Sequence, residues 1–482
     1  MPRIGPSRPS AILDRMHAVD PGPPIATINP ATGELLESFD PLDATALEVR
    51  LATAATAASA WAGSTFEERA RLLITAAELL EGEVPDIAHT VTTEMGKPFA
   101  QAKGEVAKCA FGFRWFAEHA EAMLADQEVL VDGSLGLVAY QPLGVILAIM
   151  PWNFPLWQVA RFIGPAVMAG NVGLLKHAPS VPRTALLIED LFRRAGAPDG
   201  VLQTLLIGTD QVPGVIADRR VAAVTLTGSV GAGRAVAAQA GAVGKKVVLE
   251  LGGSDPFIVL PSADLDRAVP VAVQARVQNA GQSCIAGKRF IVHRDVAQEF
   301  TGRFVEAMAA LSVGDPFDPA TEVGPLINAA AVDGIEAQVE DARAKGATIL
   351  CGGQRVVGPG GPDQPGAFYA PTVITAIAPG MRVATEEVFG PVALLYVVDD
   401  ADAALELAND TEFGLGSSVW TEDPDEQQQF VTGLQAGQVF VNGMTVSMPQ
   451  LPFGGIKSSG IGRELSSFGM HEFCNVKSVW IA

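Results

Sequence analysis

The runs GVILAIM (144–150), VGLLK (172–176), LQTLLIG (202–208), AAVTLTG (222–228) and KVVLEL (246–251) decide the fold class. Each is short and apolar, and each is separated from the next by about the length of a helical crossover. This is the pattern of a parallel sheet wound with helices. After Gly252 and Gly253 the alternation restarts with PFIVL (256–260), a helix through Asp264 to Gln278, and KRFIVH (288–293). A second α/β domain therefore begins near residue 252. Upstream, Thr65 and Glu68 have capping-box spacing ahead of an apolar face of Leu72, Leu73, Ala76, Leu79 and Leu80, which predicts an amphipathic helix. The tract GPGGPDQPG (358–366) reads as a surface loop inside the second domain, because sheet-like runs continue beyond it. No internal repeat is found.

The 482 residues are about three times the ~150 expected per domain, so two or three domains are expected. Lys and Arg total 33 against 54 for Asp and Glu, a formal net charge of −21, which argues against nucleic acid as a partner. With 48% hydrophobic and 18% charged residues, the chain has the composition of a well-packed globule. Four cysteines, at 109, 284, 351 and 474, are too scattered for a disulfide framework or a clustered zinc site and fit a reducing compartment. His177, His293 and His471 lack ligand spacing, so no metal site is expected.

The uncharged stretch between Asp132 and Arg161 is long enough to cross a bilayer. Pro142, Pro151 and Pro155, with Gln141, Asn153 and Gln158, would break the hydrogen bonding of a spanning helix, so no membrane partner is expected. Residues 1–24 lack the apolar core of a secretory signal and read as a disordered arm. Arg3, Arg8 and Arg15 with Ser7 and Ser10 hint at an organelle transit peptide, which Asp14 and the prolines oppose. The cytoplasm is the expected location.

Cys284, in NAGQSCIAGKR, lies between a helix and a strand among small residues that leave room for a substrate. Most free cysteines are small buried hydrophobes, so core packing and nucleophilic catalysis both stand for it. Glu250 ends the most apolar strand of the first domain, where an acid is costly unless it works or is paired. Asn153, in PWNFPLW, sits where an amide dipole could face a pocket, or where a turn simply needs it.

With these residues stand LLK (174–176), TGS (227–229) with Gly233, LELGG (249–253), GQSC (281–284), EEVFGPV (386–392) and PFGGIKSSGIGRE (452–464). From about residue 25 to the C-terminus the sequence resembles the aldehyde dehydrogenase superfamily, and within it the bacterial succinate-semialdehyde dehydrogenases. The resemblance implies two doubly wound parallel-sheet α/β domains and a small β oligomerisation element. It divides the chain into 25–128 with 144–251 for NAD(P) binding, 252–445 for catalysis, and 129–143 with 465–482 for oligomerisation, as a homodimer or homotetramer.

It further implies that the Cys284 thiolate attacks the aldehyde and that the Asn153 amide and Cys284 N–H stabilise the oxyanion. Hydride transfer to the nicotinamide would leave a thioester, which Glu250 hydrolyses through water rather than passing the acyl group to coenzyme A. Trp152, Lys176, Ser180, Gly228, Ser229, Gly233, Glu387 and Phe389 are the implied cofactor residues, with Gly228, Ser229 and Gly233 forming a pyrophosphate turn at a helix N-terminus. The third position after Lys176, often an acid in NAD-preferring relatives, is Pro179 here, so NADP is favoured over NAD. Arg161 matches an arginine that binds a succinate-type carboxylate, and Ser447 is an additional candidate donor. The second arginine of some succinate-semialdehyde enzymes is replaced by Gln278, with Arg276 two positions away, and Ala286 excludes a local disulfide switch. Two alternatives stay open: a dehydrogenase of neutral or aromatic aldehydes, for which Arg161 is incidental, and a non-catalytic protein on the same fold.

Overall fold

A computed structural model describes residues 25–132, 134–364 and 366–481, so the arm expected over 1–24 lies outside the described residues. The sheet-forming runs assemble as their composition requires. In the first sheet the strands lie in the order Gly460–Ile461, Lys246–Glu250, Val221–Thr227, Val145–Met150, Val172–His177, Leu202–Thr204. All neighbours are parallel except the short Gly460–Ile461 strand. Every residue of Val172–His177 is buried, as expected for a strand covered on both faces. LQTLLIG yields only the three-residue strand Leu202–Thr204 at the edge.

The second sheet runs Thr348–Cys351, Thr372–Thr375, Val392–Val398, Gly287–His293, Asp255–Val259, Ser418–Trp420, Phe440–Val441. Only Thr348–Cys351 pairs antiparallel. The tract after Gly358 joins the small hairpin strands Arg355–Val356 and Phe368–Tyr369. The chain does not stay in this sheet: residues 446–464, outside the domain ranges read from the sequence, return to the first sheet, where Gly460 pairs with Glu250. A third, antiparallel sheet joins Cys474–Ile481, Ser134–Pro142 and Gln127–Val131.

Helices follow their end signals. Phe66–Gly82 starts at Thr65 with both arms of the capping box formed, and buries Leu72, Leu73, Ala76 and Leu80. Leu265–Val277 starts at Asp264, whose carboxylate accepts from the N–H groups of Asp266 and Arg267. Trp157–Met168, which carries Arg161, is buried along its whole length. Its first N–H groups, those of Leu156 and Trp157, donate at 2.9 and 3.0 Å to Glu105, itself ion-paired with Lys97.

Candidate active site

In the first sheet, successive strands step away from Val145–Met150 on one side, then the chain crosses to Val221–Thr227 on the other. The carboxyl ends of these two strands form a topological switch point, where open α/β sheets leave a crevice for ligands. Residues 151–153 and 227–229 emerge there. Facing them are the turns that lead into the second sheet: Gly253 before Asp255–Val259, Cys284 before Gly287–His293, and Glu387 and Phe389 before Val392–Val398.

Two cavities open in this cleft. One, of about 320 Å³, is lined by Pro151, Trp152, Asn153, Thr227–Ser229, Leu251, Gly252, Cys284, Glu387 and Phe389. The other, of about 290 Å³, is lined chiefly by Lys108, Phe154, Trp157, Arg161, Gln278, Cys284, Ser447 and Phe453. Cys284 is the one residue common to both.

Cys284 is half-buried and follows a turn in which Asn279 and Ala280 adopt left-handed φ values of 56° and 55°. Such strain persists only where surrounding contacts hold it, and Asn279 Nδ2 indeed donates to the carbonyls of Asn153 (2.8 Å) and Gln282 (3.1 Å). Burial pushes the Cys284 thiol up to about 12, against the nearby positive charges of Arg161 and Lys288. The Asn153 amide, expected to face the pocket, donates one N–H to the Gln282 carbonyl at 3.1 Å, which leaves its second N–H for a ligand. The Lys288 ammonium donates to the carbonyls of Ser283 (2.9 Å) and Cys284 (2.6 Å) and to Glu387 (3.1 Å), fastening the cysteine turn to the Glu387 turn.

Glu250 lines neither cavity. Its carboxyl is buried beside Gly454, where a Cβ would stand 2.5 Å from Glu250 Oε1, and neither oxygen is hydrogen-bonded among the described residues. Burial and the neighbouring Glu464 carboxylate push it well above the usual range, against Arg161 and Arg463. In this position burial favours its protonated form, and it does not reach the cavities that Cys284 lines.

On the first cavity, Trp152 and Phe389 meet edge to face with centroids 5.9 Å apart, and Glu387 is held by the Gly253 N–H at 3.1 Å. Ser229 caps the helix Val230–Ala242, its hydroxyl accepting from Ala232 N–H at 3.2 Å. Gly228 and Ser229 form the turn at this helix N-terminus, and Gly233 follows in the first helical turn. Gly233 lies inside that helix, buried, where a side chain would collide with Leu251, so its smallness serves helix-to-strand packing. Lys176 and Ser180 are outside both cavities. Lys176 is buried, its ammonium lowered by desolvation, with no ion pair among the described residues.

On the second cavity Arg161, expected to bind the substrate carboxylate, already has a counter-charge within the protein. It is 2% exposed, ion-paired with Glu464, donates to Thr227 Oγ1 at 3.1 Å and lies 4.6 Å from the Phe453 ring centroid. The apolar surroundings of Arg161 called for a partner, and Glu464 supplies it. The Ser447 hydroxyl accepts from Trp157 Nε1 at 3.0 Å and keeps its own proton to donate. Arg276 faces elsewhere, donating to the Gly281 carbonyl at 2.8 Å.

A family model, "Aldehyde dehydrogenase family", matches residues 18–479. The chain belongs to the aldehyde dehydrogenase family. It is 56% identical over 462 residues to "Succinate-semialdehyde dehydrogenase [NADP(+)] 1" of Mycobacterium tuberculosis (strain H37Rv), covering 95% of this chain and 100% of the relative. It is 55% identical to "Succinate-semialdehyde dehydrogenase [NADP(+)]" of Mycobacterium avium (strain 104), covering 95% and 97%. Among solved structures it superposes on succinic semialdehyde dehydrogenase from Streptococcus pyogenes in complex with NADP+, with a TM-score of 0.91, 37% identity, and 95% and 99% coverage.

Four contributors to this aldehyde dehydrogenase cleft were not singled out from the sequence: Lys108, Lys288, Thr227 as the Arg161 partner, and Glu464. Glu464 closes a motif that was recognised, PFGGIKSSGIGRE, without being singled out within it. Lys108 carried no signal, since a lysine on an amphipathic helix reads as solvated surface. Among the described residues no helix is long and apolar enough to cross a membrane, and no cluster of His, Cys, Asp and Glu could hold a metal ion.

Proposed function

We propose that this aldehyde dehydrogenase oxidises succinic semialdehyde to succinate with NADP as the preferred cofactor. The observation that carries the reading is Cys284 standing alone between the two cavities. An aldehyde held in the second cavity and a nicotinamide in the first would then meet at one sulfur. The dinucleotide fits the residues present: a helix N-terminus at Ser229, a buried Lys176 with no ion pair among the described residues, and Glu387 and Phe389 at the cavity wall. When bound, it supplies the hydride acceptor. Lys176 and Ser180 would serve the adenosine ribose, and Pro179 removes the carboxylate that repels a 2′-phosphate.

The Cys284 thiolate adds to the aldehyde carbon while the second Asn153 N–H and the Cys284 backbone N–H hold the oxygen as its charge develops. Once the carbon is oxidised, a thioester remains on Cys284. Glu250 must then swing from beside Gly454, lose its proton and activate water, so its burial keeps it out of the acylation step. The carboxylate at the far end of the substrate would meet the cationic wall at Arg161, with Ser447 donating.

We assign the first sheet with its helices to the cofactor and the second to catalysis. The third sheet is the proposed homodimer or homotetramer contact, since Leu130 is 86% and Trp480 69% exposed on its strands. Four free cysteines suit a cytoplasmic location. A second reading, a neutral or aromatic aldehyde, is favoured by the prior commitment of Arg161 to Glu464 and by the Phe154, Trp157 and Phe453 lining. Initial rates with succinic semialdehyde, glutaric semialdehyde, butanal and benzaldehyde, each with NAD and NADP, decide between them. The proposal expects the highest kcat/KM for succinic semialdehyde with NADP. An equal or higher value for butanal or benzaldehyde overturns it.

A further inference from the structure

We propose that Lys108 is a specificity-determining residue of this cleft: its ammonium receives the far carboxylate of the semialdehyde alongside Arg161, in the place left open by Gln278. The inference rests on the succinic semialdehyde reading above and names a residue that reading did not use. Lys108 projects from the helix Phe99–Met123 onto the cavity that also holds Cys284, Arg161, Gln278 and Ser447. It is half-buried, and its ammonium lies 4.4 Å from the Trp157 ring centroid.

The charges around it explain why an anion would be taken up there. The charged or titratable groups that Lys108 feels are Cys109 and Glu105 on its own helix, Arg161 on the helix packed against it, and Lys97 just before its helix. Glu105 is ion-paired with Lys97 and accepts from two backbone N–H groups, and Arg161 is paired with Glu464. Of the three cations Lys97, Arg161 and Lys108, only Lys108 has no carboxylate partner among the described residues. A desolvated cation on an apolar wall gains more from an incoming carboxylate than a solvated one does. Burial already pushes its ammonium down to about 8. A neutral aldehyde would gain nothing from it, so the residue discriminates between substrates rather than accelerating the chemistry.

The test is the ratio of kcat/KM for succinic semialdehyde to that for butanal, with NADP, in the wild type, Lys108→Met and Lys108→Arg. Taking the ratio removes the titration of Cys284 and Glu250, which both substrates share. Lys108→Met should lower the ratio by about 30-fold or more, mainly through KM, and Lys108→Arg should restore most of it. In the wild type the ratio should fall as pH rises through about 8, whereas in Lys108→Arg it should stay flat, because a guanidinium does not titrate there. A Lys108→Met ratio equal to that of the wild type overturns the assignment, whether both rates are kept or both fall together. A wild type with no preference for succinic semialdehyde over butanal overturns the substrate reading itself, before any variant is made.

Discussion

The two cavities that meet at Cys284 are built differently. The first is made of turns: residues 151–153, 227–229, 251–252 and 387–389 are consecutive stretches at strand ends, each inside a contiguous sequence motif. The second gathers side chains from three helices far apart in sequence, Lys108, Trp157, Arg161 and Gln274 among them, and from the loops around 283–285 and 444–447. On the proposed assignment, a cofactor common to many enzymes would be held by backbone geometry, which needs contiguous small and turn-forming residues. The substrate, on the same assignment, would be held by side chains that only the tertiary fold brings together.

The comparison breaks most visibly at Glu464, because the proposed substrate wall depends on a buried charge pair. Glu464→Leu leaves the Arg161 guanidinium buried without its counter-charge, and urea denaturation should show a loss of about 3–5 kcal/mol. Replacing both partners by methionine should recover most of that stability. A single variant as stable as the wild type would mean that Arg161 is solvated and that this wall is not the dry cationic surface described.

A smaller effect is expected on the cofactor side. Pro179→Glu places a carboxylate three residues after Lys176, at an exposed position that tolerates the change. The NADP-to-NAD ratio of kcat/KM should fall by about 10- to 100-fold, the worth of one charged contact. A ratio that does not move would remove Lys176 and its turn from the adenosine site. Smallest per step is the effect of pH on the shared thiol. Burial holds Cys284 up to about 12, so in the enzyme without cofactor its alkylation by iodoacetamide should rise about tenfold per unit from about pH 7 to about pH 10. A plateau below about pH 9 would show that Arg161 and Lys288 outweigh desolvation.

The same contrast governs what could be read from the sequence. The parallel sheets were legible because buried strands are continuous apolar runs, and Cys284, Asn153, Glu387 and Phe389 because they sit in compact motifs. Glu250 was found as an acid in an apolar strand, but its retreat beside Gly454 depends on the chain returning to the first sheet at Gly460, a pairing across more than 200 positions. Gly233 was legible as part of the glycine turn, but its packing against Leu251 was not, because a glycine needed for close packing looks the same in sequence as one needed for a ligand. Lys108 was invisible, since only the packing of its helix against Trp157–Met168 turns a surface-type residue towards the thiol.

The central claim is that a substrate carbon and a hydride acceptor meet at Cys284, with Glu250 needed only afterwards. Its most direct test is a single turnover of Glu250→Gln with succinic semialdehyde and NADP, quenched in acid and analysed by peptide mass, with Cys284→Ala as control. The account predicts a burst of reduced cofactor equal to the enzyme concentration, one succinyl group on the peptide containing Cys284, and neither signal in Cys284→Ala. Steady turnover by Glu250→Gln at the wild-type rate, or a succinyl group on any other residue, would contradict it.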